Sequence, residues 1–569
     1  MGQTSYEAAD RTHAIESNNH PGTLALFLYD TQIAPCLRST SRLRMRSVKL
    51  YTAAIFLSLC WLAWSENLRF IRGDKPQSLL VPNTPSCDQC PFQPIHLSGF
   101  SNHGVPGNAM CDALRYNQTI GVQQSFYLHD NLTEVVLLTK SHPLVAYEVE
   151  SYAKNSGHED IDNETWARLS GSSVWLPEHA VFLSVTRVTF YPGGSLDWPT
   201  VSFLRGQVYD ADWNHLEDYI LDWFGDKIVF PLIFEIPFEW KENGADPYGP
   251  EDPRVVLEDN VRGAEPVIIF NMQSNAPNWF RAMWVYRPFS NFTTVLTIRN
   301  EDRKDVEKNW MPFFHRVDAG LSSNSPNEYL HFIYGFVPLR ILKCHLLSGY
   351  CDWAYQQDIT PEVAAGKESR GQLHGGTNFV SVPFDILQNP GIQLYVGFPR
   401  TSLISGCESR TYRPELMVLS STGSSQFHIA YTSDALDFGA AILTPAARAD
   451  PCGEGHILIA NSISHWNRSA AQDIMTITFS VMDVTVQVAR LEGLGALVQS
   501  LPYFEDLLDY NTAQGENHGM EAFSWKSAKS LIGADVVACA VEAASNTSIR
   551  DATKAREEMA GMSQDSYLG

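Results

Sequence analysis

The sequence predicts an all-β fold, a five-bladed β-propeller over about residues 95–504, and three observations carry that expectation. Short apolar runs of strand length recur along this stretch, punctuated by Gly, Pro, Asn and Asp, the pattern of many-stranded sheets. Long helical periodicity is nearly absent; the one exception is Asp212 to Phe224, where apolar residues recur at helical spacing. A loose unit, a strand run followed by an aromatic or Pro-Arg corner, returns near 270–288, 330–340, 393–400 and 456–466. At a spacing on the order of 55–70 residues roughly five units fit, which favours a propeller over a large sandwich.

Residues 1–48 are polar and unpatterned and read as a cytosolic tail, with Met45 as an alternative start because a short basic head follows it. Residues 49–65 read as a signal-anchor helix: no charge falls between Lys49 and Glu66, while Arg38, Arg42, Arg44, Arg46 and Lys49 precede the run. The positive flank stays in the cytosol, so the bulk of the chain faces the lumen. The run is short against the roughly 20 residues of a full span, and a cleaved signal peptide is the alternative, although Ala63-Trp64-Ser65 makes a poor cleavage site. Residues 66–94, rich in Pro and polar side chains, read as a lumenal stem. Strands are expected at Val181–Tyr191, Lys227–Glu235, Pro266–Phe270, Thr294–Ile298, Tyr329–Tyr334, Gln393–Val396, Phe427–Tyr431, His456–Ala460 and Met475–Ser480. Residues 505–569 shift to Ser, Ala, Glu and Lys and read as a partly helical appendage, helix-compatible from Ile549 to Met562.

With 44% apolar and 11% aromatic residues among 569, a large core can form. The net charge of -23, without a basic block beyond the N-terminal region, excludes a nucleic-acid partner, which needs clustered Lys and Arg. Sequons begin at Asn117, Asn131, Asn163, Asn291, Asn467 and Asn546, all after the apolar run, as a lumenal domain would have them. Eight cysteines follow that run, an even number suited to disulfides. Cys344 and Cys351 bracket a short turn and are expected to bridge, and Cys87 and Cys90 are expected to form a small knot with Cys111 near the stem. No second CxxC exists to build a zinc site.

Several segments carry candidate chemistry. In Gly249-Pro-Glu-Asp-Pro-Arg254 the second proline is expected to hold Asp252 extended, so that Glu251, Asp252 and Arg254 form a stiff polar cluster. A carboxylate beside a guanidinium suits general acid–base work; a structural salt-bridged turn is the alternative. Glu307-Lys-Asn-Trp310 offers Lys308 to a phosphate. In Leu373-His-Gly-Gly-Thr-Asn378 the two glycines let backbone N–H groups approach an anion and His374 adds a donor. Arg281, Arg287, Arg340, Arg400 and Arg413 lie in or beside strand runs and suit phosphate recognition or buried ion pairs. Asp210-Ala-Asp212 matches a metal-binding DxD but lacks a βαβ context. No GxGxxG, Walker loop, HExxH or GxSxG is present, which withdraws support from dinucleotide, P-loop and common hydrolase chemistry.

Taken in order over about residues 180–500, the segments GPEDPRVVLED, PVIIFNMQS, RAMWVYRPFSN, EKNWMPFF, LHFIYGFVPLRILKC, LHGGTNFVSVP, VGFPRT, YRPELMVLS, LDFGAAIL and ILIANSISHW resemble the fungal β-mannosyltransferases, glycosyltransferase family 91. Members of that family make β-1,2-mannosyl linkages on cell-wall mannan and related glycolipids, behind a cytosolic tail and a membrane anchor. The EDPR and EKNW segments are also similar to those of the β-mannoside phosphorylases, five-bladed propellers in which the Asp of the EDPR-like segment is the catalytic acid. The resemblance implies Asp252 as the acid/base residue, with Glu251, Arg254, Arg281, Lys308, His374 and Arg400 as substrate-binding residues. It implies GDP-mannose as donor, a mannan or mannoside acceptor, inversion at the anomeric carbon and a single-pass type II Golgi location. No metal ligand is assigned, cations standing where a metal would, and metal dependence stays open. A β-mannoside phosphorylase or hydrolase and a non-catalytic mannan-binding propeller are the alternatives.

Overall fold

The computed structural model describes residues 91–101, 111–156, 165–192, 199–241, 247–275, 279–315, 325–358, 372–383, 392–403, 410–422, 426–443, 457–469, 472–482, 485–502 and 532–565. The expected tail and anchor, most of the stem, Cys87, Cys90 and Asn163 lie outside them. Among the described residues no helix is long and apolar enough to cross a membrane.

The described chain is mostly strand, with few helices. Five sheets of four to six strands dominate, beside one of three strands and one of two. The first runs through Trp166–Leu176, Val181–Phe190, Val201–Tyr209 and Leu232–Ile233, and the second through Glu251–Val256, Val267–Ser274, Phe280–Arg287 and Phe292–Val295. The third holds Met311–Phe313, Tyr329–Phe336, Leu339–His345 and Tyr350–Gln356, with Thr297–Ile298 added in parallel at its far edge. The fourth holds Val380–Ser381, Ile392–Gly397, Met417–Thr422 and Gln426–Ser433, and the fifth Leu458–Ser469, Gln472–Val481 and Gln487–Glu492. Two N-terminal strands one residue apart join different sheets: Gln93–Leu97 extends the fifth through Gln118–Val122, and Gly99–Ser101 pairs with Gln426–Ser433 of the fourth.

Burial explains these strands. Val181–Phe190 and Val201–Tyr209 are buried at every position, so both faces of the first sheet are covered. The apolar residues of the second and third sheets, Val256, Ile269, Val285, Phe332 and Leu342 among them, share one core cluster between the two sheets.

The leading strands of the sheets are joined by buried polar contacts. Ser172 Oγ accepts the Val255 N–H at 2.9 Å, and Ser462 Oγ accepts the Ser173 N–H at 2.8 Å. Asn378 both donates to and accepts from the backbone of Ile463, at 3.2 and 2.9 Å. The Phe379 N–H donates to the Pro312 carbonyl at 3.0 Å. First, second, third and fifth sheets and the 374–379 loop are thereby tied together at their leading edges, where serine, threonine and asparagine meet hydrogen-bonding partners that apolar side chains would leave bare.

Three expectations are corrected. Asp212 to Phe224 forms no helix: Trp213, Asp218 and Phe224 take positive φ of 64, 54 and 53°, which interrupts a right-handed helix. The strand Tyr219–Trp223 follows instead, with Leu221 and Trp223 buried alternately with exposed neighbours. The C-terminal helix begins at Ile532, not Ile549, and runs to Asp565. Its first half is core rather than appendage, since Val536, Val537, Ala540 and Val541 pack with Phe100, Leu419 and Ile429. Cys111 pairs with Cys539 on this helix and not with the stem cysteines. The Cys344–Cys351 bridge is present, across a hydrogen-bonded strand pair.

Candidate active site

The GPEDPR segment opens the second sheet. Its register on the neighbouring strand pairs Glu251 with Asn271 but Arg254 with Ile269, so one extra residue is accommodated at Asp252-Pro253. Asp252 takes φ of +51°, not the extended conformation expected before a proline. The bulge accounts for the difference: a backbone held in the left-handed region re-aims the side chain without ending the strand. Such conformations concentrate where a side chain must be presented.

Arg187 receives both carboxylates. From the middle of the first sheet it lies 3.0 Å from the Glu251 Oε2 and 3.6 Å from the Asp252 Oδ1. Arg281 closes on the other Glu251 oxygen at 2.8 Å. Ser170, at φ of +52° in a second bulge, places its hydroxyl 3.4 Å from the Asp252 Oδ1. The Glu251 side chain is buried, whereas that of Asp252 is 34% exposed. Glu251 thus serves as counter-ion to two guanidinium groups, and Asp252 is the carboxylate that a ligand can reach.

The electrostatics separate the pair. Burial pushes the Glu251 carboxyl up against the pull of Arg187 and Arg281. Burial also raises Asp252, but the fields of Arg187, Arg254, Arg400 and Lys308 together outweigh it and hold its pKa below the ordinary aspartate value. Asp252 is therefore an ionised, partly accessible carboxylate facing cations.

Lys308 is exposed, and its charge acts on Glu251, Asp252 and His374 alike. It arrives there because Arg281 and residues 305–307 exchange backbone hydrogen bonds, the Arg281 N–H donating to Asp305 and the Glu307 N–H to Arg281. His374 pairs with Arg400 across two strands. Burial first, then Arg400, Arg410 and Lys308, lower His374 to about 4, so at neutral pH it offers a neutral ring rather than a charge. Arg400 donates to the Asn309 Oδ1 at 3.0 Å. Gly375 lies against the Asn309 carbonyl so closely that a Cβ there would sit 1.8 Å from it.

The predicted residues thus gather at one place, in two different capacities. Asp252, His374 and Arg400, all partly buried, and the exposed Lys308 act on one another electrostatically, whereas the buried Glu251 is paired with Arg281. Arg254 is buried and donates to the carbonyls of Gly376 at 2.6 Å and Pro253 at 2.8 Å, which makes it a brace. Arg287 pairs with Glu265 at 3.0 Å and Arg340 lies over Tyr334 and Trp353, in contacts that do not involve these carboxylates. Both oxygens of Asp210 bind its own turn, at Asp212, Asn214 N–H and the Asn214 amide, so the DxD closes a loop. Arg187 and Ser170 were not foreseen; Arg187 carried no signal beyond being the one charge in the strand run VFLSVTRVTF.

The family profile of the β-mannosyltransferases matches residues 110–281 and 287–547. The chain belongs to this family. The match takes in strands of all five large sheets and the first half of the C-terminal helix. Among individual members, β-mannosyltransferase 1 of Komagataella phaffii is 33% identical over 432 residues, 73% of this chain, and the aligned part spans 64% of that relative's length. β-Mannosyltransferase 4 of the same yeast is 34% identical, over 72% of this chain and 79% of the relative. β-Mannosyltransferase 3 of Candida albicans is 31% identical, over 71% and 73%. A mannose phosphorylase from Leishmania mexicana, solved with phosphate, overlays 62% of this chain and 94% of its own at 11% identity and a TM-score of 0.33, a likeness too slight to bear on this family member.

Proposed function

We propose that the chain is an inverting β-mannosyltransferase that moves mannose from GDP-mannose to a mannoside acceptor of cell-wall mannan or glycolipid, forming β-1,2 linkages. The observation that carries this reading is Asp252, ionised and one-third exposed among Arg187, Arg400 and Lys308. GDP-mannose is α-linked, so a β product requires attack from the face opposite the diphosphate. Asp252 takes the proton of the acceptor hydroxyl as that oxygen bonds to the anomeric carbon. The bond to the diphosphate breaks with its electron pair leaving on the phosphate oxygen, where Lys308 and Arg400 hold the charge and neutral His374 donates a hydrogen bond. Arg187 keeps Asp252 ionised, Glu251 holds Arg187 and Arg281 in a shared ion pair behind it, and Arg254 fixes the loop that follows His374.

Five large sheets, with the leading strands of the first, second and fifth joined by buried hydrogen bonds, support a five-bladed propeller, with Asp252 on one of those strands. The Arg-rich flank and apolar run of residues 38–64 support a type II anchor in the Golgi membrane. The described sequon asparagines, Asn117, Asn131, Asn291, Asn467 and Asn546, are all exposed, as glycan attachment in the lumen requires.

The test is incubation of the purified chain with GDP-mannose and α-mannobiose, with the new linkage read by NMR. A β-1,2-mannosyl product is expected. A product with only α linkages overturns the reading. Turnover of β-mannobiose by phosphate without GDP-mannose replaces it with a phosphorylase.

A further inference from the structure

A cavity of about 480 Å³ opens at the edge of the third sheet, lined by residues 297–302 and Tyr350. None of the residues around Asp252 lines it. Its walls are held by backbone: Thr297–Ile298 pairs in parallel with Tyr350–Cys351, the Thr297 N–H donates to Gly349 at 2.9 Å, and the Arg299 N–H donates to Cys351 at 3.0 Å. The Cys344–Cys351 disulfide closes the turn beneath.

The chemistry of the lining is that of a sugar site. Tyr350 is 51% exposed, so part of its ring meets solvent. The Arg299 guanidinium lies 5.1 Å from its centroid and is tied to Asp352 at 3.2 Å. Glu301 accepts the Trp353 indole N–H at 2.6 Å. An aromatic face beside pre-oriented donors and acceptors matches the apolar face and hydroxyl rim of a hexose. Glu301 and Asp302 are balanced by Arg299 and by Arg303, which donates to the Thr297 hydroxyl at 2.8 Å, so the rim carries little net charge and suits a neutral ligand. The volume lies within the roughly 300–1,000 Å³ of small-molecule sites.

A path joins this cavity to the centre. Trp353 meets Tyr334 edge-on at 5.2 Å, and Tyr334 meets Trp310 at 5.4 Å. The Tyr334 hydroxyl and the Trp310 indole both donate to Glu307, at 3.1 and 3.2 Å, immediately before Lys308.

We propose that this cavity is a second carbohydrate site that holds a neutral hexose unit of a polymeric acceptor, remote from the unit that reacts. The identity of the polymer rests on the mannoside reading above. The experiment is affinity electrophoresis of the full chain through gels containing soluble fungal mannan, with Tyr350→Ala, Tyr350→Phe, Asp302→Asn and Asp252→Asn. Retention is expected to weaken about five- to ten-fold in Tyr350→Ala and to weaken in Asp302→Asn, which leaves the ring in place. Tyr350→Phe and Asp252→Asn are expected to be retained like the unaltered chain. The proposal is overturned if the unaltered chain is not retained, if Tyr350→Ala and Asp302→Asn are retained fully, or if Asp252→Asn alone abolishes retention. Failure of the transferase reading shows separately, as absence of transfer from GDP-mannose whatever the retention.

Discussion

The Nε–H of Arg254 donates to the carbonyl oxygen of Gly376 at 2.6 Å, joining the strand that carries Asp252 to the loop that follows His374. The contact is buried and charge-assisted, a class of hydrogen bond worth about 1.5–3 kcal/mol. Arg254→Met is expected to lower stability by roughly that amount and to lower kcat as the two segments lose their relative position. Denaturant unfolding and steady-state kinetics check both effects. Unchanged stability would show that the brace carries no strength.

Asp252→Asn is expected to keep the fold and to lose transfer by about 10²–10⁴-fold, the usual contribution of a positioned base. Asparagine fills the same volume and still accepts from Ser170, but it cannot take a proton. Circular dichroism and product formation measured on the same sample separate folding from chemistry.

Removing Arg187 acts on the same carboxylate from behind. Its positive charge favours the ionised form of Asp252, so Arg187→Gln raises the carboxyl pKa. A base must be deprotonated to work, and the acid limb of the kcat/KM profile therefore moves to higher pH. A profile that falls uniformly without shifting would assign Arg187 a purely structural part.

Two histidines away from the centre set an acid limit on stability. His315 and His331 are buried with their rings 5.2 Å apart, and burial lowers them to about 4 and about 3. In the unfolded chain each gains a proton near the ordinary value of 6.5, while the folded form resists protonation until far lower pH. The unfolded state thus binds more protons as pH drops from 6.5, and stability falls by about 1.4 kcal/mol per pH unit for each group. The melting temperature is expected to decline between pH 7 and pH 5, and His331→Phe to flatten that decline.

The Cys111–Cys539 bridge spans a separation of 428 residues and fastens a helix whose buried face lies on Phe100 and Ile429. Cys539→Ser is expected to cost about 3–5 kcal/mol, as closure of a very long loop implies. Limited proteolysis should then cleave ahead of residue 532 faster than in the oxidised chain.

What was legible in the sequence was local. Strand runs, the stiff GPEDPR corner and the Cys344–Cys351 turn depend on neighbours within a few residues, and composition reports them. The positive φ of Asp252 was not legible, because a bulge is defined by the partner strand as much as by its own residues. Arg187 escaped for the same reason: its significance is its reach to Glu251 and Asp252, more than sixty positions along the chain. The helix from Ile532 was read short because Ala, Val and Ser without flanking aromatics look like a loose tail until Phe100 and Leu419 are laid against them. Asp212 to Phe224 failed in the opposite sense, its helical spacing overridden by three left-handed residues.

The two strands Gln93–Leu97 and Gly99–Ser101 find their partners in Gln487–Glu492, by way of Gln118–Val122, and in Gln426–Ser433. A ribosome delivers Gly99–Ser101 more than three hundred residues before Gln426–Ser433, whereas Gln93–Leu97 meets Gln118–Val122 soon after it emerges. Gly99–Ser101 therefore waits through much of synthesis without its partner strand, and the pairing of Gln118–Val122 with Gln487–Glu492 comes later still. A product truncated before Gln426 would carry an unpaired strand edge, which makes synthesis of Gln426–Ser433 the checkpoint between a molecule able to close that edge and an aggregating one.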